Sequence, residues 1–134
     1  MKVFKWVHPY NDKDKPAIKD SWARSGVYII KKNGKIVYVG QSGYNLYKTM
    51  YRHFQNWDSK QTRATYNAKG SGRKNIKVRV VYCTPKQADR LETILCKKYD
   101  PIDMQYKYKQ VKLNLKYQKD MKTYKDSDFS DVPF

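Results

Sequence analysis

The stretch SGVYIIKKNGKIVYVGQSG, residues 25–43, constrains the fold of this chain more than any other. Asn33 and Gly34 accept the left-handed backbone that a tight hairpin turn requires, and β-branched and apolar residues at 26–32 and 35–40 flank them. A hairpin is expected, in one of two registers. A two-residue loop pairs Lys32 with Lys35 and sends Tyr28 and Tyr38 to opposite faces. A three-residue loop, with Gly34 as a left-handed bulge, pairs Lys31 with Lys35 and Tyr28 with Tyr38. The second is the expected one. It stacks Val27 with Val39 and Ile29 with Val37, and sets two phenols side by side on the other face. Next to them Gly40-Gln41-Ser42-Gly43 supplies small residues, Gly40 and Ser42 among them, that let a bulky ligand approach.

The elements that follow are read from caps and periodicity. Asn45 is an N-cap for a helix in LYKTMYRHFQNW, whose apolar face is Leu46, Met50, Trp57, Phe54, Tyr47 and Tyr51, with His53 at its rim and Thr49, Arg52 and Asn56 just beyond. Residues 58–75 read as a mobile basic loop with a KGSGRK centre, carrying Lys60, Arg63, Lys69, Arg73 and Lys74. IKVRVVYC, residues 76–83, alternates as a third strand. Thr84-Pro85-Lys86-Gln87 then joins an N-cap, a proline at the first helical position and a capping-box glutamine, and opens a second helix ending near Asp100-Pro101. Ala88, Leu91, Leu95 and Tyr99 form its buried stripe, and Glu92 falls on that stripe's edge, where a carboxylate is costly unless a charge meets it.

A chain of 134 residues accommodates one domain. The expected fold is α/β (α+β), a small three-stranded antiparallel sheet flanked by helices. An arm, residues 1–24, wraps a core at 26–101, and a basic extension with an acidic tail occupies 102–134. The formal charge of +17 exceeds what solubility requires and points to a polyanionic partner. Nucleic acid suits it better than a membrane surface, because 13 Tyr and 3 Trp lie interleaved with the basic residues and can stack on bases. No apolar run approaches the length of a bilayer span, and the N-terminus has no apolar signal region, so a cytoplasmic protein is expected. Cys83 and Cys96 lack metal-ligand spacing.

A GVY triplet, a short spacer, a YVG triplet, a helix carrying Arg52 and His53 and a later helix carrying Glu92 together resemble the GIY-YIG nuclease family, over about Gly26 to Pro101. The resemblance implies a metal-dependent endonuclease hydrolysing phosphodiester bonds in DNA, with RNA a possible substrate and no small-molecule cofactor. It assigns Glu92 to one divalent cation, Mg2+ or Mn2+, and Tyr28 to the attacking water. Tyr38 and His53 complete the hydrogen-bonded network, and Arg52 neutralises charge on the phosphoryl oxygens. The basic loop, with Lys48, Lys60, Arg63, Lys69, Arg73 and Lys74, grips the backbone while Tyr66 stacks on a base. Two positions depart from the family pattern. Thr49 stands where members usually carry an arginine, and Met104 where they often carry an asparagine, for which Asn114 is a substitute. These departures favour the alternative of a catalytically degenerate nucleic-acid-binding module.

Overall fold

The computed structural model describes residues 1–55 and 64–103. Four strands form one antiparallel sheet: β1 (Lys2–Val3), β2 (Gly26–Lys32), β3 (Lys35–Ser42) and β4 (Ile76–Tyr82), in the spatial order β1-β4-β2-β3. The sheet thus has one strand more than the three expected, because two residues of the N-terminal arm pair with the outer edge of β4. The arm stays on the sheet beyond β1, since Val7 and Val78 exchange backbone hydrogen bonds of 2.9 and 2.8 Å. Among the described residues no helix is long and apolar enough to cross a membrane.

The hairpin turn is the two-residue one. Asn33 and Gly34 both have left-handed backbone, with φ of 50° and 81°, and Lys32 pairs with Lys35. This corrects the expected three-residue loop, and the physical reason is twist: a two-residue turn with both residues left-handed matches the right-handed twist of its strands. The extra residue lies further along β3. Lys31 pairs with Ile36 but Ile30 with Tyr38, so Val37 is bulged out of the ladder. That single insertion restores the parity a two-residue loop removes. Tyr28 therefore faces Gly40 across the ladder and Tyr38 faces Ile30, on one side of the sheet but diagonally rather than directly opposite.

Each side of the sheet carries its own core. Val27, Ile29, Val39 and Val81 meet Ala88, Leu91, Leu95 and Cys96 of helix α2 (Pro85–Tyr99). On the opposite side Tyr28, Ile30, Val78 and Val80 pack with Leu46, Met50 and Tyr51 of helix α1 (Leu46–Tyr51), and with Tyr10 from the arm. Tyr38, on the exposed edge strand, touches both clusters. The caps are those expected: the Asn45 side chain accepts from the Lys48 N–H, and Thr84 and Gln87 form a complete capping box behind Pro85. Residues 70–75, part of the segment read as a mobile loop, instead form a 3-10 helix, in which Gly72 packs so tightly on Asn67 that a Cβ would lie 2.3 Å from the Asn67 carbonyl oxygen.

Two glycines separate the backbone requirement from the packing requirement. Gly34 has φ of 81° and open space where a Cβ would point, so Gly34→Ala should lower stability by about 1–2 kcal/mol from backbone conformation alone. A Cβ on Gly26 would lie 2.0 Å from the Val81 carbonyl oxygen, so Gly26→Ala must part β2 from β4. Urea unfolding should therefore show the larger loss for Gly26→Ala, and the reverse order would contradict the β2–β4 pairing.

Candidate active site

Helix α1 tightens into a 3-10 turn at Arg52–Phe54, and that change of pitch turns His53 inward from the rim position a continued α-helix would give it. His53 is only 3% exposed. Its Nε2 lies 2.8 Å from the Tyr28 hydroxyl and its Nδ1 lies 2.8 Å from the Ala64 carbonyl oxygen. A carbonyl only accepts, so Nδ1 carries a proton; in the neutral ring Nε2 is then the acceptor and the Tyr28 hydroxyl donates to it. The Tyr66 N–H donates back to the His53 carbonyl at 2.7 Å, which clamps the 3-10 turn against residues 64–66. Tyr38 completes the cluster: its ring centroid is 4.3 Å from that of His53, and 6.1 Å from that of Tyr28 with the two rings nearly parallel, at 12°.

The small residue of the second triplet is explained by the first. A Cβ on Gly40 would lie 2.3 Å from the Tyr28 hydroxyl oxygen and Cζ, so the phenol of β2 lies directly over the backbone of β3. Only glycine leaves that space. Ser42 does a different job: its Oγ accepts from the Asn45 N–H at 3.0 Å and from the Tyr44 N–H at 3.3 Å, which sets the entry of α1.

The other residues singled out in the sequence lie on several parts of the fold. Glu92 is half-buried on α2, in the layer on the far side of the sheet, and α2 leans most heavily on the edge strand β3, the strand that carries Tyr38. One turn earlier, Asp89 receives a hydrogen bond of 3.4 Å from the Gln41 side chain of β3. Arg52 is half-buried and lines a cleft with Lys48, which is exposed. Lys69 and Lys74 are exposed, whereas the Arg73 Nε donates to the Tyr10 carbonyl at 2.9 Å and holds the arm. Lys60, Arg63, Met104 and Asn114 lie outside the described residues.

Tyr66 does not take the surface position that stacking on a base would need. It is 7% exposed and its hydroxyl donates to Asp103 Oδ2 at 2.6 Å. Burial, and then the Asp103 carboxylate, push its phenol well above the ordinary value. The reason is the alternation of Ala64, Tyr66 and Ala68, all turned to the core while Thr65 and Asn67 face outward. Asp103 is itself placed by a 2.9 Å bond from its N–H to the carbonyl of Val37, the bulged residue. The carbonyl of Ala64, the N–H of Tyr66 and the carboxylate of Asp103 were not foreseen. The first two are backbone groups without a side-chain signature, and only the small-aromatic-small alternation at 64–68 marks the segment as buried.

Among the described residues no three of His, Cys, Asp and Glu gather into a metal-holding group. Both His53 nitrogens are engaged, which removes it as a ligand. The candidate ligand that remains is the carboxylate of Glu92. That suits a hard cation such as magnesium, which is commonly bound through one or two carboxylates with water and substrate phosphate filling the remaining positions. Residues 24–108 match the family model described as the GIY-YIG catalytic domain. No curated protein matches the chain.

The hydrogen bonds to His53 make a prediction independent of catalysis. Long-range nitrogen–proton NMR should show His53 protonated at Nδ1, with Nε2 as the acceptor, and Tyr28→Phe should shift the Nε2 resonance while leaving Nδ1 protonated. A proton found on Nε2 in the parent would contradict the direction of the Tyr28 hydrogen bond.

Proposed function

The chain belongs to the GIY-YIG catalytic-domain family, a membership that carries nuclease-type function and a nucleic-acid substrate, and on that premise we propose that it is a divalent-metal-dependent endonuclease hydrolysing phosphodiester bonds in DNA. The observation that supports this most is the Tyr28–His53–Ala64 relay, 2.8 Å at each step, beside the half-buried Tyr38. In this reading the domain acts as one unit, with Tyr28, Tyr38, Arg52, His53 and Glu92 as its catalytic residues.

The roles follow from proton positions. Tyr28 is 2% exposed, so the attacking water has to enter with the substrate, and the phenol whose proton is committed to His53 Nε2 is the group that would take the water's proton and pass its own on. An unperturbed phenol titrates near 10 and an imidazole near 6.5, so a free phenolate is scarce at neutral pH. The relay avoids it: as Tyr28 takes a proton from water, it passes its own to His53, and the imidazolium that forms is held by the Ala64 carbonyl. The hydroxide attacks phosphorus while the bond to the leaving oxygen breaks. Tyr38 packs against the imidazole, with ring centroids 4.3 Å apart. Arg52 neutralises charge growing on the phosphoryl oxygens. Glu92 would hold the divalent ion, magnesium or manganese, whose chemistry is to polarise the phosphate and stabilise the departing oxygen. Lys48, Lys69 and Lys74 are the exposed cations for backbone contact, and the charge of +17 supports that reading.

One observation favours a second reading, a binding module without catalysis. At the position where the family usually carries arginine, the Thr49 hydroxyl turns back to the Asn45 carbonyl at 3.2 Å and offers no charge to a phosphate.

Incubation of supercoiled plasmid with the protein, in magnesium, in manganese and in chelator, separates the two. Nicking should require the metal. Tyr28→Phe should lower the rate by about 10²- to 10⁴-fold, and Glu92→Gln should reduce it to the level seen in chelator. Equal cutting by Glu92→Gln and parent would remove the metal role of Glu92. Salt-sensitive binding without cutting by the parent would establish the module.

A further inference from the structure

Trp22 is 60% exposed, in a protein whose other described aromatic residues are mostly buried or half-buried. The backbone that carries it is held by several hydrogen bonds. Lys19–Ser21 form a 3-10 turn, the Ser21 hydroxyl donates to the Ile18 carbonyl at 2.6 Å, and the Trp22 and Arg24 N–H groups donate back to Lys19 and Ser21. Ala23 has left-handed backbone, with φ of 59°, and the Arg24 carbonyl accepts from the Leu46 N–H at 2.8 Å, which locks the turn to the start of α1. The indole meets Tyr47 edge-on, with centroids 5.6 Å apart at 63°, and such a contact leaves a ring face open.

Below it lies a cleft of about 370 Å3 lined by Trp22, Tyr47, Lys48, Tyr51, Arg52 and Gln55. Among the described residues its lining has two cations and no acid, and it runs along α1 to Arg52, the residue before His53. We infer that Trp22 and Tyr47, with Lys48 beside them, form a stacking subsite for an unpaired nucleobase of the substrate strand, next to the phosphate that the Tyr28–His53 cluster addresses. This rests on the nucleic-acid reading above. An exposed ring beside cations is the arrangement by which proteins hold unpaired strands, since every base has a stacking face and every nucleotide a phosphate. A duplex presents no free base face, so the subsite selects frayed, flapped or single-stranded DNA.

The test uses Glu92→Gln protein in chelator, so that binding is read without cleavage. Titration with oligo(dT) should quench intrinsic tryptophan fluorescence. Adding Trp22→Ala should abolish most of that quench and weaken oligo(dT) binding by about 5- to 100-fold, while leaving the salt dependence and the affinity for a blunt duplex little changed. Lys48→Ala should do the converse, lowering the salt slope by about one and keeping the quench. Oligo(dT) affinity unchanged by Trp22→Ala, with the thermal midpoint preserved, would overturn the subsite while plasmid cutting stands. Trp22-dependent quenching in a protein whose parent cuts nothing would sustain the subsite and overturn the nuclease reading.

Discussion

A buried phenol has to find a hydrogen-bond partner, and here Tyr28 meets an imidazole nitrogen 2.8 Å away on a different element. Much of the site depends on that bond. It needs His53 turned inward, which the 3-10 turn at the end of α1 achieves, and it needs a neutral ring with its proton on Nδ1, the tautomer that donates to the Ala64 carbonyl. It also needs the ring of Tyr28 to lie flat over β3, which only a glycine at position 40 permits. The two triplets are therefore one device: the tyrosine of the first lies on the glycine of the second.

The hairpin bulge has the same logic. A two-residue turn alone would place Tyr28 and Tyr38 on opposite faces, and one extra residue at Val37 puts them back on the same one. The Val37 carbonyl then receives the N–H of Asp103, and the Asp103 carboxylate receives the hydroxyl of Tyr66, whose own N–H holds His53. A short series of hydrogen bonds thus joins the irregularity in the sheet to the imidazole. Because β3 is an edge strand, Tyr38 meets both the α1 and the α2 layer.

Local signals were strong enough to read much of this from the chain. Asn33-Gly34, the Asn45 cap and the Thr84-Pro85-Gln87 box each have a mechanism confined to a few residues, and the turn and the two helix starts they mark lie where expected, although α1 gives way to a 3-10 turn after Tyr51. The register was not legible, because the same parity follows from a longer turn or from a bulge further on, and nothing in Val37 itself marks it. The edge strand Lys2–Val3 was too short and too polar to alternate. His53 looked like a rim residue because a regular helix was extrapolated past Tyr51, and Tyr66 looked like a surface ring because the basic residues around it concealed the inward alternation of 64, 66 and 68. In each case a tertiary contact decided the outcome.

The central claim is that Tyr28 and His53 move protons as one unit, and a double-mutant cycle on the rate of plasmid nicking addresses it most directly. Tyr28→Phe, His53→Gln and the double variant should be compared in saturating magnesium. Groups in a single relay fail together, so the double variant should be no slower than the slower single variant. Losses that multiply, each substitution keeping its full effect in the presence of the other, would show that the two side chains act separately and would contradict the account.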